Sequence, residues 1–474
     1  PELLDLCGDR PERVRRIAWI IGSSFAALTG VMIAPSLGLD AFLLTLLVVQ
    51  AFGGAAVGRF RSLPGTYAGG LVVGVGAALL TKFGSSQPSL SGLPPNLPFL
   101  LLFVVLLVAP PRTGGDPAGR VTKPRRRISS PSPSPSSGAF VGRRGVAVPA
   151  GVLAVLVAVP FLVGVKLPVY TQGLILAVVF LSLNVLVWQS GQISLAHGAF
   201  AAVGAAAFAH LTVGAGLPWL VALGGAGLAT VPLGVLVAVP SARLSGVYLA
   251  LATFGLGILL ERFIYTKAVM FGFTGYRAAP LPAIAGREVS DKAFYYVCLA
   301  VLIACLAGAA VLIRTRLGRY LRALGDDPVA LSTFGLNVNT TRVLVFSLSA
   351  ALAGMGGALM IALAGQAGGR SFTYSHSLLW ITAVALAGSG LVRGPLIAAA
   401  LVSVLPAYLP NGLTEHQPLI FGLATLALLV GREHAWVVPG PRTLARRVAG
   451  PVGNRSLEGR ARGVPEGVAL EGAR

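Results

Sequence analysis

Residues 189–197 read QSGQISLAH and set Gln192, Ser194 and His197 inside an otherwise apolar stretch. Amide, hydroxyl and imidazole groups at that spacing can donate and accept hydrogen bonds, but they do not assemble a nucleophile with its base. Glycines among them break a helix, and freed backbone groups at membrane depth are tolerated where they line a cavity. Two roles fit these side chains equally: facing a polar path, or capping the next helix and tying it to its neighbours.

Covalent chemistry finds little support elsewhere. No GxxxxGK[ST], HExxH or GxSxG pattern occurs, and no lysine follows a glycine, so the chain has no phosphate cradle of its own. The three cysteines, Cys7, Cys298 and Cys305, lack metal or disulfide spacing, and Cys298 and Cys305 read as small hydrophobes in one apolar run. Neither a metal nor a cofactor is expected. Glu261 and Arg262 fall near a helix end, where snorkelling to the interface accounts for them, and His210 and His376 read as interfacial.

The second informative segment is the polar turn between Arg314 and Arg342. Asp327 suits a helix N-cap, Pro328 the first helical position and Gly335 the left-handed position after the last turn. A helix of about two turns is expected there, with Thr340 or Thr341 capping the span that follows.

What must position these groups is a set of membrane helices. The chain is 55% hydrophobic and 11% charged, with a mean hydropathy of +0.80. Soluble domains carry about 25% charged residues, so water cannot be the main solvent here. At about 20 residues per span, roughly fourteen apolar runs qualify in full or in part. They cover 14–34, 41–57, 67–80, 97–109, 146–165, 169–188, 193–211, 217–239, 247–264, 294–313, 343–364, 377–391, 396–409 and 419–430. The fold class is all-α, a polytopic transmembrane bundle.

A net charge of +21 would suggest nucleic acid in a soluble protein. Here the arginines sit in short blocks between apolar runs, without interleaved aromatics, so the positive-inside bias is the better account and no nucleic-acid partner is expected. With the N-terminus inside, one alternation puts Arg59 and Arg61, the 112–144 block, Arg314 to Arg322, Arg393 and the tail from Arg432 on the cytoplasmic side. Both termini are then cytoplasmic. Residues 113–145 contain PRRRISSPSPSPSSG, a Pro/Ser-rich linker unable to pack a core, and 432–474 form a basic tail of the same character. Their arginines suit contact with anionic lipid.

Residues 8–30, GDRPERVRRIAWIIGSSFAALTG, align without a gap on 335–357, GLNVNTTRVLVFSLSAALAGMGG. Polar punctuation matches as well as small residues: Gly8 falls on Gly335, Arg15 on Arg342 and Gly30 on Gly357. VGRFRSLPG, ending at Gly65, also aligns with AGSGLVRGP around Gly394. The linker therefore joins two homologous units, 1–112 and 146–431, of which the first is shorter. The chain opens at Pro1 with no Met or signal peptide, and its first apolar run resembles an internal helix, so residues preceding Pro1 are expected. Paired units around a shared path are a common transporter plan. A secondary transporter would carry intramembrane acids or lysines for ion coupling, and these are almost absent.

The motifs LNVLVWQSGQISLAHGAFAAVGA (183–205), GVYLALATFG (246–255), GRYLRALGDDPVAL (318–331), FGLNV (334–338), FSLSAALAGMGGAL (346–359) and ALAGSGLVRGP (385–395) resemble the LivM-type permease of branched-chain amino acid ABC transporters. AWIIGSSFAALTGVMIAP (18–35) and SLPGTYAGG (62–70) resemble the C-terminal half of its LivH-type partner. The resemblance implies a permease of the bacterial plasma membrane, importing a small polar solute, served by separate ATPase subunits and an extracytoplasmic solute-binding protein. Carried over by position, Asp327, Pro328, Ala330, Gly335 and Asn337 look like the loop that couples to the ATPase, and Glu2 to Gly8 its counterpart. Trp188-Gln189-Ser190, Ile258 and the turn Thr274 to Arg277 depart from the family pattern. Urea and short-amide permeases share these motifs and are the alternative solute class.

Overall fold

The computed structural model describes residues 11–38, 41–84, 93–108, 143–241, 244, 246–284, 287–326, 331–332, 335–410 and 416–434. The helices α1 (Pro11–Leu37), α2 (Ala41–Val57), α3 (Leu63–Gly84) and α4 (Leu97–Val108) precede the linker. After it come α5 (Arg143–Leu162), α6 (Leu167–Asn184), α7 (His197–Ala209), α8 (Trp219–Ala229), α9 (Val231–Ser241) and α10 (Gly246–Leu259). Next are α11 (Asp291–Arg314), α12 (Arg316–Asp326), α13 (Val338–Ala364), α14 (Tyr374–Ala387), α15 (Arg393–Ala399) and α16 (Gln417–His434). Each expected apolar run falls for most of its length on one or two of these helices and the helical turns that continue them, though the runs from 193 and to 391 extend into the breaks described below. Among the described residues, eight helices are long and apolar enough to cross a membrane, which makes this a multi-pass membrane protein. Four shorter apolar helices accompany them.

Several spans continue into a π-helical turn: Val185–Gln189 after α6, His210–Gly214 after α7, Leu260–Ile264 after α10 and Ala400–Val404 after α15. Such turns re-aim side chains and recur at functional sites. Among the described residues, two short antiparallel pairs, one further short helix at Ala268–Phe271 and four 3-10 turns accompany them. β1 (Tyr276–Ala278) pairs with β4 (Gln366–Gly368), with Tyr276 opposite Gly368, and β2 (Ala283–Ile284) pairs with β3 (Arg287–Glu288). The β1–β4 pair ties the connection after α10 to the connection after α13, so both lie on one face of the protein.

The chain divides into two compact units, 1–417 and 418–474. In the first, the core centres on α6, α7 and α13, with Phe180, Phe200, Phe208 and Phe346 fully buried. Lipid supplies no hydrophobic force between helices, so close approach depends on small residues. Gly204 of α7 meets the Gly354 backbone of α13, and Gly357 meets the carbonyl of Ala201. Thr230 Oγ donates to the Ala350 carbonyl at 2.8 Å and fastens the α8–α9 junction to α13. Of the second unit, the described part is the stretch of α16 from Pro418, an apolar run ending in GREH.

The alignment that places Gly8 on Gly335 also carries Pro11 to Val338 and Leu37 to Ala364, the two ends of α1 and of α13, each 27 residues long. Gly38 (φ +72°) and Gly365 (φ +74°) follow them at equivalent positions.

Asn337, and neither Thr340 nor Thr341, caps α13. Its side-chain oxygen accepts from Asn339 N at 2.9 Å and Thr340 N at 3.2 Å, while Thr341 Oγ turns back to the Asn337 carbonyl. An Asn three residues earlier reaches the first free N–H groups, which a Thr already inside the helix cannot do. Asn337→Ala is expected to cost about 1 kcal/mol, read as a lowered thermal midpoint of the detergent-solubilised protein.

Candidate functional site

The break between α6 and α7 is where the polar sequence run predicts it. α6 passes through the π turn Val185–Gln189, the chain leaves helical geometry at Gly191 (φ +67°), and α7 begins at His197. A side chain at Gly191 would be strained in that left-handed conformation. The freed groups are met locally and across the bundle. Gly191 N donates to the Val187 carbonyl, Gln192 N to the Leu186 carbonyl, and Leu195 N to Thr253 Oγ of α10 at 2.9 Å. Gly198 N donates to Ser377 Oγ of α14 at 2.9 Å.

Ser194 and His197 take the bonding roles that the sequence left open. Ser194 Oγ accepts from Ala196 N at 3.3 Å. His197 Nε2 lies 2.9 Å from Ser349 Oγ of α13, and Ser349 Oγ in turn donates to the Ser182 carbonyl of α6 at 3.1 Å. A hydroxyl has one proton to give. Where Ser349 gives it to Ser182, His197 donates through Nε2; the imidazole tautomer decides between this arrangement and its reverse. This chain ties α6, α7 and α13 together at one level.

Gln192 differs. It is buried, and both polar atoms of its side-chain amide lack a hydrogen-bond partner; the same holds for Asn184 and for Trp188 Nε1, among the described residues. Asn184 and Trp188 are one turn apart and so share a face of the helix. Opposite Asn184 stands a second break, between α14 and α15, where Gly388 has φ +80°. A methyl group on Gly394 would lie 2.6 Å from Asn184 Nδ2. Buried amides without partners are uncommon in folded proteins. Here they furnish unused donors and acceptors at the α6–α7 break, with Asn184 facing the second break, chemistry suited to a small polar solute. Asn184, Thr253, Ser349 and Ser377 went unread in the sequence because their role depends on partners far along the chain.

Of the proposed coupling loop, Gly335 has φ +74°, the left-handed conformation expected of it, and Asn337 caps α13. Asp327, Pro328, Ala330 and Gly8 lie outside the described residues, as does the rest of the 2–8 segment. The unexpected element is α12, which leads into this loop. It is amphipathic, with Leu321 and Leu324 buried and Arg316 and Arg319 exposed. Leucines at 317, 321 and 324 against arginines at 316, 319 and 322 carry that signal in the sequence. Its last turn reaches the α6–α7 break. A Cβ on Gly191 would lie 3.2 Å from Gly325 Cα, and one on Gly325 would lie 3.2 Å from the Ser190 carbonyl carbon. Backbone rests on backbone there.

These features define a multi-pass membrane protein with a polar break at its centre and a polar helix packed directly on that break, the class of a solute permease. The chain belongs to the family described as branched-chain amino acid transport system / permease component, which matches residues 1–110 and 167–430. It is 30% identical over 306 residues to the high-affinity branched-chain amino acid transport system permease protein LivM of Salmonella typhimurium, covering 59% of this chain and 72% of that protein. It is 31% identical over 117 residues to the corresponding LivH protein of Salmonella typhimurium, covering 24% of this chain and 36% of that one. The ribose import permease protein RbsC of Escherichia coli is 34% identical over 113 residues, 23% of this chain and 35% of its own. No solved structure matches the chain.

Proposed function

We propose that this chain is the membrane component of an ATP-binding-cassette importer for branched-chain amino acids. The observation that carries the reading is the packing of α12 on the α6–α7 break, in a chain belonging to this permease family. Separate ATPase subunits engage the loop from Asp327 to Asn337, with Gly8 in the equivalent segment of the first unit. Closure of the ATPases moves α12, and the break it supports opens or closes. Gln192 and Asn184 offer their amides to the solute, while Ser194 and His197 hold the break in register. An extracytoplasmic binding protein delivers the solute on the opposite face. The protein sits in the bacterial plasma membrane with both termini inside, as the arginine blocks favour.

Residues 1–112 act as the C-terminal half of a LivH-like unit and 146–431 as a LivM-like unit, a division supported by the matched ends of α1 and α13. Similarity to branched-chain amino acid permeases, and the few intramembrane charges, favour this reading over a urea or short-amide permease and over a secondary transporter.

The test is reconstitution. The chain is co-purified with its candidate ATPases, placed in proteoliposomes with the binding protein, and assayed for ATP-dependent uptake of L-leucine. Uptake that requires ATP, the ATPases and the binding protein together is expected. Uptake driven by a proton or sodium gradient without ATP would overturn the reading.

A further inference from the structure

A cavity of about 610 Å³ lies on the face of the protein bounded by the β1–β4 pair, far in sequence from the loop proposed to meet the ATPases. Its walls come from the π turn that ends α10, from the β1 turn and from the residues between β4 and α14. Three charged side chains line it: Glu261 and Arg262 on the π turn, and Arg370 ahead of α14. Tyr265 and Tyr276 contribute ring surface, and Thr274 stands at the exposed rim.

The Glu261 carboxylate is half-buried and held in place, because one of its oxygens accepts from Tyr374 N in the first turn of α14. Among the described residues its second oxygen has no hydrogen-bond partner; Arg262 acts on it through charge, and neither Arg262 nor Arg370 is within ion-pair distance of a carboxylate. Snorkelling toward water explains an arginine at a helix end. It does not explain a half-buried carboxylate fixed by a backbone N–H inside a cavity that also presents two guanidinium groups.

Chemistry selects the ligand. A simple anion would meet Glu261, and a simple amine would meet Arg262 and Arg370. A molecule carrying an ammonium and a carboxylate on one carbon satisfies both through charge-assisted hydrogen bonds. The volume falls within the range of about 300–1,000 Å³ usual for small-molecule sites. We propose that this cavity is a loading site for the zwitterionic head of an α-amino acid, with Glu261 taking the ammonium and the two arginines the carboxylate. The inference rests on the import function proposed above.

Occupancy can be read with a cysteine at the rim, Thr274→Cys, in the full chain in nanodiscs on a Cys7→Ser background; Cys298 and Cys305 are buried. L-Leucine in the millimolar range is expected to slow maleimide labelling about fivefold, the slowing that accompanies filling of roughly four-fifths of the sites. 4-Methylpentanoate and leucinamide, each lacking one charge, should leave the rate nearly unchanged. Glu261→Gln should remove the protection without lowering the melting temperature, and the exposed Arg370→Gln provides a second test should the first variant misfold. Equal protection by all three ligands, or no protection by leucine, would overturn the site. ATP-driven uptake on the same preparation separates the two ideas. Uptake without protection removes the site and leaves the importer, whereas protection without uptake does the reverse.

Discussion

Gly357→Val is expected to leave little or no correctly assembled protein. The Cβ of any residue other than glycine at this position would overlap the carbonyl of Ala201, a backbone atom that cannot rotate aside. Three residues earlier on the same face of α13, Gly354 meets both Gly204 of α7 and the side chain of Thr230. Helices α7 and α13 therefore touch along a ridge without side chains, and wedging them apart would also separate His197 from Ser349. Overpacking a well-filled core costs about 1–3 kcal/mol, and more when backbone must move. Valine here belongs at or above the upper end. The measurement is the yield of monodisperse protein after size exclusion in detergent, with a thermal unfolding midpoint for whatever survives. Gly308→Ala on α11 is the control, since its new methyl group would meet nothing within 4 Å. A Gly357→Val protein that melts with the wild type would show that this contact is looser than drawn.

Much of this architecture was legible beforehand, for a physical reason. In lipid every backbone polar group must be satisfied within the span, so a long apolar run admits essentially one structure. The break at residues 189–197 was legible for the converse reason, because glycine and polar residues at membrane depth forfeit that solution. Gly335 could be assigned its left-handed conformation from the punctuation around it. What escaped was everything set by partners distant in sequence. His197 finds its partner in Ser349, and Ser349 in the Ser182 carbonyl. The cap of α13 was misassigned because Asn337, Thr340 and Thr341 are all competent residues, and only the entry geometry of the chain distinguishes them. Glu261 read as a snorkelling charge until the first turn of α14 was seen to hold its carboxylate. Helix α12 is a different omission. Its pattern was present, but a block of arginines between two spans was read for its sign and not for its periodicity.

Gly325→Val is expected to cut ATP-driven uptake by roughly tenfold or more, equivalent to about 1.4 kcal/mol, while the ATPases still co-purify. The reason lies in where α12 ends. Its buried leucines, Leu321 and Leu324, anchor it to the bundle, and its last turn lays Gly325 against Ser190 and Gly191. A new Cβ at Gly325 would stand 3.2 Å from the Ser190 carbonyl carbon and 3.3 Å from Gln189 O, closer than ordinary contact. Alanine asks for a shift of a few tenths of an ångström; valine's branches demand more. The substitution leaves Arg316 and Arg319 on the exposed face of α12 unchanged, so under the proposed import scheme the ATPases are expected to dock as before. It does alter a backbone contact between α12 and the break carrying Gln192, the contact that the proposed coupling scheme uses. Coupling between sites has content only where an identified element is biased by both, and on the proposed reading that element is the Gly191–Gly325 contact. The discriminating measurement is the ratio of solute moved to ATP hydrolysed in proteoliposomes. A fall in that ratio, with ATPase association intact, is the expected signature. Arg319→Gln, on the exposed face of the same helix, should leave the ratio unchanged. Equal loss of ATPase association and uptake in Gly325→Val would instead make α12 a docking surface and nothing more.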